Sequence, residues 1–230
     1  MENVFGSKTG VYTGSFADDY KLQTLRDLET LPKYAVTGVT ISLLANRLSW
    51  FYNLNGPSCN IDTACSSSMV ALDIACQGLR NRDSTMVRTR MIQLIRIRAD
   101  SIMQALVGGS GTVLGLESFL SLTNLNMLSP DGRCYSFDER GNGYARGEGC
   151  AVLVLKLLSD AIHDGDTIRA VIRSTGSNQD GRTPGITQPS REAQENLIKD
   201  TYEKAGLDPS FTRFFEAHGM RIPRPTKFNV

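Results

Sequence analysis

The sequence lacks the features that would mark a membrane, secreted or metal-binding protein. It has no run of 18 apolar residues, so no transmembrane helix is expected. Its first residues hold neither a basic leader nor an apolar core, so no signal peptide is expected. The five cysteines are odd in number and lack metal-ligand spacing, which indicates reduced thiols and a cytoplasmic location: Cys59, Cys65, Cys76, Cys134 and Cys150.

The sequence also has no excess charge of either sign. Its 25 Lys and Arg residues nearly balance 24 Asp and Glu residues, for a formal net charge of +1. That balance gives no electrostatic reason to expect nucleic acid or an anionic membrane as a partner. The 40% hydrophobic content is ordinary for a globular protein, and 230 residues suffice for one large domain or two small ones.

The glycine clusters lack the patterns of nucleotide-binding loops. Residues 108–111 have no Lys-Ser/Thr ending of a phosphate loop, and Gly141, Gly143 and Gly147 have the wrong spacing for a dinucleotide site. These glycines are therefore expected to serve backbone turns or close approaches. The charged residues near them are expected to make local hydrogen bonds: Asp138, Arg140 and Glu148.

Residues 62–68, Asp-Thr-Ala-Cys-Ser-Ser-Ser, are the most informative segment that is present. An apolar, strand-like segment precedes them, and apolar residues follow at helical spacing as far as Leu79. The pattern places Cys65 at the first turn of a helix, where unpaired N–H groups and the helix dipole favour thiolate over thiol. Cys65 is therefore a candidate nucleophile, although most free cysteines are buried structural thiols.

Further motifs accompany the cysteine segment. Residues 129–138 read Ser-Pro-Asp-Gly-Arg-Cys-Tyr-Ser-Phe-Asp, and residues 140–149 read Arg-Gly-Asn-Gly-Tyr-Ala-Arg-Gly-Glu-Gly. Residues 177–181 read Ser-Asn-Gln-Asp-Gly, and residues 216–219 read Glu-Ala-His-Gly. Together with residues 62–68, and in the same order, these motifs resemble β-ketoacyl synthases. The resemblance is strongest to the ketosynthase domain of reducing fungal polyketide synthases.

The alternation of strand and helix patterns predicts an α/β layered fold. Strands are expected at residues 11–15, 58–63, 105–109, 150–158, 167–174 and 213–216, and helices at residues 37–53 and 188–205. We expect the helix at residues 37–53 to be largely buried. The near-continuous apolar run at residues 150–158 is typical of a central strand that is covered on both faces.

The resemblance implies the thiolase-like αβαβα fold, in which two similar halves each contribute a sheet between helices. Residues 1–149 would form the first half, incomplete at its start, and residues 150–219 would begin the second. Residues 220–230 match nothing in the family. A second histidine and a glycine-rich loop of the oxyanion hole are also missing, so the chain alone is not expected to condense acyl and malonyl units.

The resemblance also implies the chemistry, a decarboxylative Claisen condensation. Cys65 would carry the acyl group, and the enolate of a malonyl-type extender would attack it. His218 would assist decarboxylation and stabilise the enolate. His163 is expected to be an inert surface residue, and the other four cysteines are expected to be structural.

The substrates that the resemblance implies are acyl and malonyl thioesters, carried on the phosphopantetheine arm of an acyl carrier protein. The domain itself is expected to bind no metal or redox cofactor for this step. The intact domain is expected to form a homodimer, without nucleic acid or membrane as a partner.

An internal block departs from the family pattern. Family members would join Met86 directly to Ala105, whereas residues 87–104, with four arginines, intervene here. The block is in frame, begins with a valine (codon GTN) and ends with a glutamine, for which CAG is one codon. Those bases match the boundaries of a spliceosomal intron, so we interpret the block as an intron translated by mistake. The alternative is a solvated basic loop or an amphipathic helix, and cDNA sequencing across the block distinguishes the two.

Two other interpretations of the chain stay open at this point. One is a catalytically inactive fragment of a broken or mispredicted polyketide synthase gene, which intact downstream coding sequence would argue against. The other is a different enzyme of the thiolase fold. The combination of residues 62–68 with residues 216–219 argues against that second interpretation.

Overall fold

The computed structural model describes residues 4–16, 18–81 and 104–219. The strands in these residues are β1 (Gly10–Gly14), β2 (Ser58–Ile61), β3 (Gln104–Gly111) and β4 (Gly149–Lys156). The helices are α1 (Asp19–Thr24), α2 (Ala35–Val39), α3 (Leu43–Phe51), α4 (Ser67–Arg80), α5 (Glu117–Asn124), α6 (Leu158–His163) and α7 (Arg191–Ala205), followed by a 3-10 helix at Pro209–Phe211. None of the helices in this part of the chain has the length and apolar character that crossing a lipid bilayer requires.

The chain divides into two compact units. The first contains Met1–Gly111 and Gly149–Ser177, and the second contains Thr112–Glu148 and Asn178–Val230. All four strands belong to one sheet in the first unit, in the order β2-β1-β3-β4. Strand β1 is parallel to both β2 and β3, whereas β4 is antiparallel to β3.

Strand β1 is buried along its whole length. It has a hydrogen-bonded strand on each side, and successive side chains of a strand point to opposite faces of the sheet. Tyr12 packs against α4 on one face, and Val11 packs against α3 on the other. This mixed sheet with a helix on each face confirms the predicted α/β class.

Helix α4 covers one face of the sheet with a row of small and medium-sized side chains. Ala71, Ala75 and Leu79 recur every four residues, so they lie on one side of the helix and are at most 4% exposed. They pack against Tyr12 of β1 and Val107 of β3. The two alanines let the helix backbone come close to the strands, which brings the start of α4 to the sheet surface.

The opposite face is covered by α3, and here the sequence prediction of one largely buried helix over residues 37–53 is wrong. Thr40 has an extended backbone and separates α2 from α3. Ala45 of α3 is buried against Val11, but Trp50 is 82% exposed. The β-branched residues around Thr40 weaken a continuous helix because their side chains crowd the preceding turn.

Strand β4 lies at the edge of the sheet, so the predicted central strand at residues 150–158 is wrong in its position. In the described residues β4 pairs with β3 alone, and Val152 and Val154 are 57% and 68% exposed. The predicted strands at residues 167–174 and 213–216 are also wrong, because neither segment joins a hydrogen-bonded ladder. An apolar run favours a strand but does not specify which neighbours cover it.

Helix α7 in the second unit confirms the helix that the sequence predicts near residues 188–205. Ser190 caps its N-terminus, since the Ser190 side chain accepts a hydrogen bond of 3.2 Å from the Ala193 N–H. Gly206, with φ of 62°, ends it in the left-handed conformation. The helix starts after Pro189 because the serine supplies the cap.

The internal block at residues 87–104 lies outside the described residues, except for its last residue. Gln104 begins β3, where it pairs with Lys156 of β4. The intron interpretation of this block therefore stays a prediction. Residues 220–230 also lie outside the described part of the chain.

Candidate active site

Cys65 lies in the short connection between β2 and α4. The connection reverses direction at Ala64, whose φ of 55° is in the left-handed region that residues with a side chain rarely adopt. Ser66 is the N-cap of α4 and Ser67 is its first residue. Cys65 therefore precedes the helix, whereas the sequence predicted a place within its first turn. The Cys65 residue is exposed to solvent.

Hydrogen bonds hold this connection, residues 62–66, which we call the cysteine turn. The Asp62 carboxylate accepts from the Ala64 N–H at 3.1 Å. The Ser67 hydroxyl accepts from the Thr63 N–H at 2.9 Å and donates to the Ala64 carbonyl. A left-handed residue that carries a side chain costs about 1–2 kcal/mol, and these bonds offset that cost. These bonds hold the residues before the cysteine and tie them to Ser67, which follows it.

The first turn of α4 rests on two glycines of the sheet. Gly14 and Gly109 are Cα partners on the neighbouring strands β1 and β3. A Cβ atom at Gly14 would lie 2.5 Å from the Ser67 carbonyl carbon, and one at Gly109 would lie 2.8 Å from the Ser68 Cβ. Both distances are shorter than real Cβ contacts, so the helix start reaches this position because neither strand residue has a side chain.

The other four cysteines have different surroundings. Cys76 is buried on α4 and Cys59 is half-buried on β2, and burial raises the pKa of both thiols. The Cys134 sulfur accepts a hydrogen bond of 3.4 Å from the Ala145 N–H. Cys150 is exposed on β4. Exposure therefore singles out Cys65 and Cys150 among the five thiols.

The motifs at residues 129–138 and 140–149 are joined by hydrogen bonds in the second unit. The Ser129 hydroxyl donates to the Asn142 side-chain oxygen at 2.7 Å, and the Asn142 side-chain nitrogen donates to the Asp131 carboxylate at 2.7 Å. Gly143 supports this arrangement, because its φ of 138° favours glycine and its Cα lies against the backbone of Ser129. The expectation that the glycines here serve turns and close approaches is therefore confirmed at Gly143.

The local hydrogen bonds predicted for the charged residues of these motifs are also confirmed. Arg140 donates to both oxygens of Asp138, at 2.9 and 2.6 Å. These side-chain bonds, with a further bond from the Arg140 backbone, lower the pKa of Asp138 to about 2. The Glu148 carboxylate accepts from the Val113 N–H at 2.7 Å. These contacts of all three side chains are with neighbouring loop residues.

His218 is exposed and belongs to the second unit, whereas Cys65 belongs to the first. Next to it, Gly219 lies against Ser136, and a Cβ atom at Gly219 would be 2.8 Å from the Ser136 Cβ. The structure thus brings residues 216–219 together with residues 129–138. His163 ends α6 at the surface, as predicted, and its ring nitrogen lies 2.8 Å from the Asp164 carboxylate.

The motif at residues 177–181 contacts α7. The Asn178 side chain donates to the Ala193 carbonyl at 2.7 Å, which links the motif to the first turn of that helix. In the part of the chain that the structure describes, no three His, Cys, Asp or Glu side chains group as ligands of a metal ion.

Sequence reasoning missed the residues that support the cysteine. Nothing in the sequence distinguished Ser67 from the neighbouring serines or Gly14 from an ordinary strand glycine, whereas Gly109 was expected to serve a turn or a close approach with no partner named. A signal was present, because a glycine at the end of each of two predicted strands is a pattern of close approach by another element. The facing of the two glycines depends on the strand register, which the sequence does not specify.

The described motifs agree with the comparisons to known proteins. The family model "Beta-ketoacyl synthase, N-terminal domain" matches residues 1–87 and 91–161, and the model "Beta-ketoacyl synthase, C-terminal domain" matches residues 169–223. The chain is 48% identical over 219 residues to a highly reducing polyketide synthase of Cryptosporiopsis sp.. It is 49% identical over 219 residues to the lovastatin diketide synthase of Aspergillus terreus. Each alignment covers 95% of the chain but 8% of the relative.

Solved ketosynthases have the same fold over nearly all of this chain. The ketosynthase from module 6 of the Bacillus subtilis bacillaene synthase superimposes with a TM-score of 0.80 at 38% sequence identity. An oxazolomycin ketosynthase domain of Streptomyces albus gives 0.78 at 34% identity. The superpositions cover 95% and 94% of this chain, and it spans 34% of each solved chain.

Proposed function

Because the chain belongs to the β-ketoacyl synthase family and has part of its thiolase-like fold, we propose that it acts in the ketosynthase step of a polyketide synthase. The reaction proposed is the decarboxylative condensation of an acyl group with a malonyl-type extender. The observation that carries the proposal is the exposed Cys65 in a hydrogen-bonded turn at the start of α4. A nucleophile has to be both accessible and well positioned, and Cys65 is exposed in a turn whose neighbouring residues are held by hydrogen bonds.

The first half of the proposed reaction is acyl transfer to Cys65. The Cys65 thiol gives up its proton and the thiolate attacks the carbonyl carbon of an acyl thioester; the bond to the carrier sulfur breaks, and the released carrier thiolate takes up a proton. The product is an acyl-Cys65 thioester. The sequence neighbours of Cys65, Ala64 and Ser66, have small side chains and are exposed, which supports access of a thioester to this residue.

The second half of the reaction makes the carbon–carbon bond. A malonyl-type thioester loses carbon dioxide, and the enolate carbon attacks the carbonyl carbon of acyl-Cys65. The bond to the Cys65 sulfur breaks, which regenerates the thiolate and releases a β-ketoacyl chain two carbons longer. We assign to His218 the donation of a hydrogen bond to the enolate oxygen, on the strength of its place in residues 216–219.

The proposed substrates define the partners. Acyl and malonyl groups would arrive on the phosphopantetheine arm of an acyl carrier protein, with no metal or redox cofactor in the condensation itself. We also propose a homodimer for the intact domain and a cytoplasmic location. The five free thiols support a reducing compartment such as the cytoplasm.

The alternative of an inactive fragment predicts no chemistry at Cys65. Identities of 48% and 49% to reducing polyketide synthases over 95% of the chain favour the ketosynthase function instead. Incubation of the full chain with an acyl N-acetylcysteamine thioester, followed by intact-protein mass spectrometry, tests this. We expect one acyl group per chain, its absence from Cys65→Ala, and normal acylation of Cys150→Ala, the matched exposed thiol. Equal acylation of Cys65→Ala and the unmodified sequence would refute the proposal.

The role of His218 needs a separate measurement. In a complete ketosynthase domain that includes this sequence, loss of one enolate donor lowers the rate by about a hundred- to a thousandfold. We therefore expect His218→Ala to release carbon dioxide from malonyl carrier protein that much more slowly. An undiminished rate would assign the enolate donor to another residue.

A further inference from the structure

We propose that Gly14 and Gly109 are positioning residues: they let the start of α4 lie against the sheet and so set how far Cys65 stands from it. This inference rests on the proposed acyl transfer to the Cys65 thiol. The two glycines are partners on neighbouring strands, Gly14 as the last residue of β1 and Gly109 two residues before the end of β3. Both touch the same part of α4, the backbone and Cβ of Ser68 and the adjoining carbonyl of Ser67. Ser68 follows Cys65 by three residues, so whatever moves it also moves the cysteine turn.

The contacts leave no space for a side chain on either strand. A Cβ atom at Gly14 would meet backbone atoms, at 2.5 Å from the Ser67 carbonyl carbon and 2.6 Å from the Ser68 Cα. A Cβ atom at Gly109 would meet a side-chain atom, the Ser68 Cβ, at 2.8 Å. Ordinary contact begins at 3.4 Å, so Gly109→Ala reaches it only after a displacement of about 0.6 Å.

The displacement is directed at the cysteine turn because the rest of α4 is fixed. Ala71 and Ala75, one and two turns further along the helix, are fully buried against the sheet. A methyl group beneath Ser68 therefore lifts the helix start rather than the whole helix. The Ser67 hydroxyl bonds to Thr63 and Ala64, which precede Cys65, so it transmits the shift of the helix start across the cysteine to the residues before it.

The strand offers a matched control one position away. Gly108 points to the other face of the sheet, and a Cβ atom there would meet Thr13 Cγ2 at 3.7 Å and Val152 Cγ2 at 3.8 Å. Both are ordinary contacts. Gly108→Ala therefore makes the same chemical change in the same strand, next to Gly109, without touching the start of α4.

The experiment compares Gly108→Ala, Gly109→Ala and the double variant Gly109→Ala with Ser68→Gly. Each full chain is acylated by an acyl N-acetylcysteamine thioester at several concentrations, and mass spectrometry gives the maximum rate and the half-saturating concentration. A misplacement approaching 1 Å slows a reaction by up to about a hundredfold. We expect Gly109→Ala to lower the maximum rate by roughly tenfold or more. Gly108→Ala should keep the rate, and Ser68→Gly should restore it because it removes the clashing atom.

The rescue separates positioning from general destabilisation, since a second glycine in a helix weakens a merely destabilised protein further. Equal maximum rates for the two single variants, or a double variant no faster than Gly109→Ala, would overturn the proposal. If Gly109→Ala does not fold, the double variant decides the matter. If the double variant folds and is acylated, the result supports the proposed contact between residue 109 and Ser68. If the double variant fails to fold or to be acylated while Gly108→Ala folds, the proposal is overturned.

A failure of the proposed function gives a different result. In that case the unmodified chain shows no acylation above Cys65→Ala, whatever the glycine variants do. Alkylation of Cys65 by iodoacetamide then still reports its position. The positioning inference stands if Gly109→Ala alters the alkylation rate of Cys65, Gly108→Ala does not, and Ser68→Gly restores the rate. Equal alkylation rates in all variants would refute it.

Discussion

Replacing Ser67 by alanine removes a buried hydroxyl that ties the start of α4 to Thr63 and Ala64, the two residues before Cys65. The Ser67 residue is 3% exposed, and its hydroxyl accepts from the Thr63 N–H and donates to the Ala64 carbonyl. The Ala64 carbonyl keeps a second partner, because the Ser67 N–H donates to it at 3.1 Å. Thr63 is exposed, so water reaches its freed N–H in part. The loss is therefore that of one buried hydroxyl with two bonds, about 1–2 kcal/mol of the free energy of unfolding.

For a chain of this length, that loss corresponds to a fall in Tm of about 3–6 °C. Ser66→Ala is the matched control, since the Ser66 hydroxyl also bonds to Thr63, at 2.9 Å, but is exposed. We expect the control to change the free energy of unfolding by less than about 0.5 kcal/mol. Urea denaturation at constant pH measures both. A Ser67→Ala variant no less stable than Ser66→Ala would refute the view that this hydroxyl holds the turn.

Three further predictions concern thiol reactivity, an ion pair and the internal block. With limiting iodoacetamide, Cys65 should be alkylated before Cys59 and Cys76, because burial raises the pKa of those two thiols. Peptide mass spectrometry measures the labelling, with the exposed Cys150 as the comparison, and faster labelling of Cys59 or Cys76 would contradict the prediction. Arg140→Ala should return the pKa of Asp138 from about 2 towards 3.8, which NMR of the Asp138 carboxyl carbon measures, and an unchanged pKa would contradict the assignment. Because the pKa in the folded state is the lower one, the contribution of this ion pair to stability is complete above pH 3.8 and is lost as the pH falls through about 2. Deleting residues 87–104 should leave Tm unchanged or higher, because four arginines cannot be buried without partners, and a clear fall would make the block part of the core.

The sequence predicted those parts of the site that depend on neighbouring residues. The passage from β2 through Cys65 into α4 is encoded within about twenty consecutive residues, as an apolar strand, small turn residues and a helical repeat. The start of α7 is similarly local, with Ser190 as its cap. The sequence predicted Cys65 in the first turn of the helix, whereas it lies just before the helix. This error arose because Ala64 adopts a left-handed conformation that usually favours glycine, so the turn was not recognised.

The features that depend on distant residues were not predictable in the same way. The sequence predicts that β4 and α3 are buried, because both are rich in apolar residues. Burial depends, however, on which other elements cover them. Strand register decides that Gly14 faces Gly109, and register is set by pairing rather than by either segment alone.

The facing glycines have a consequence for how the site assembles. Gly14 and Gly109 lie 95 positions apart in the sequence, and the strands that carry them pair in parallel. Such pairing has a high contact order: the long chain segment between the two strands has to close into a loop before they can pair, and this slows folding. During synthesis the cysteine turn leaves the ribosome well before Gly109 does. Its helix can form early, but the surface against which it is aligned exists only after that later strand has been made.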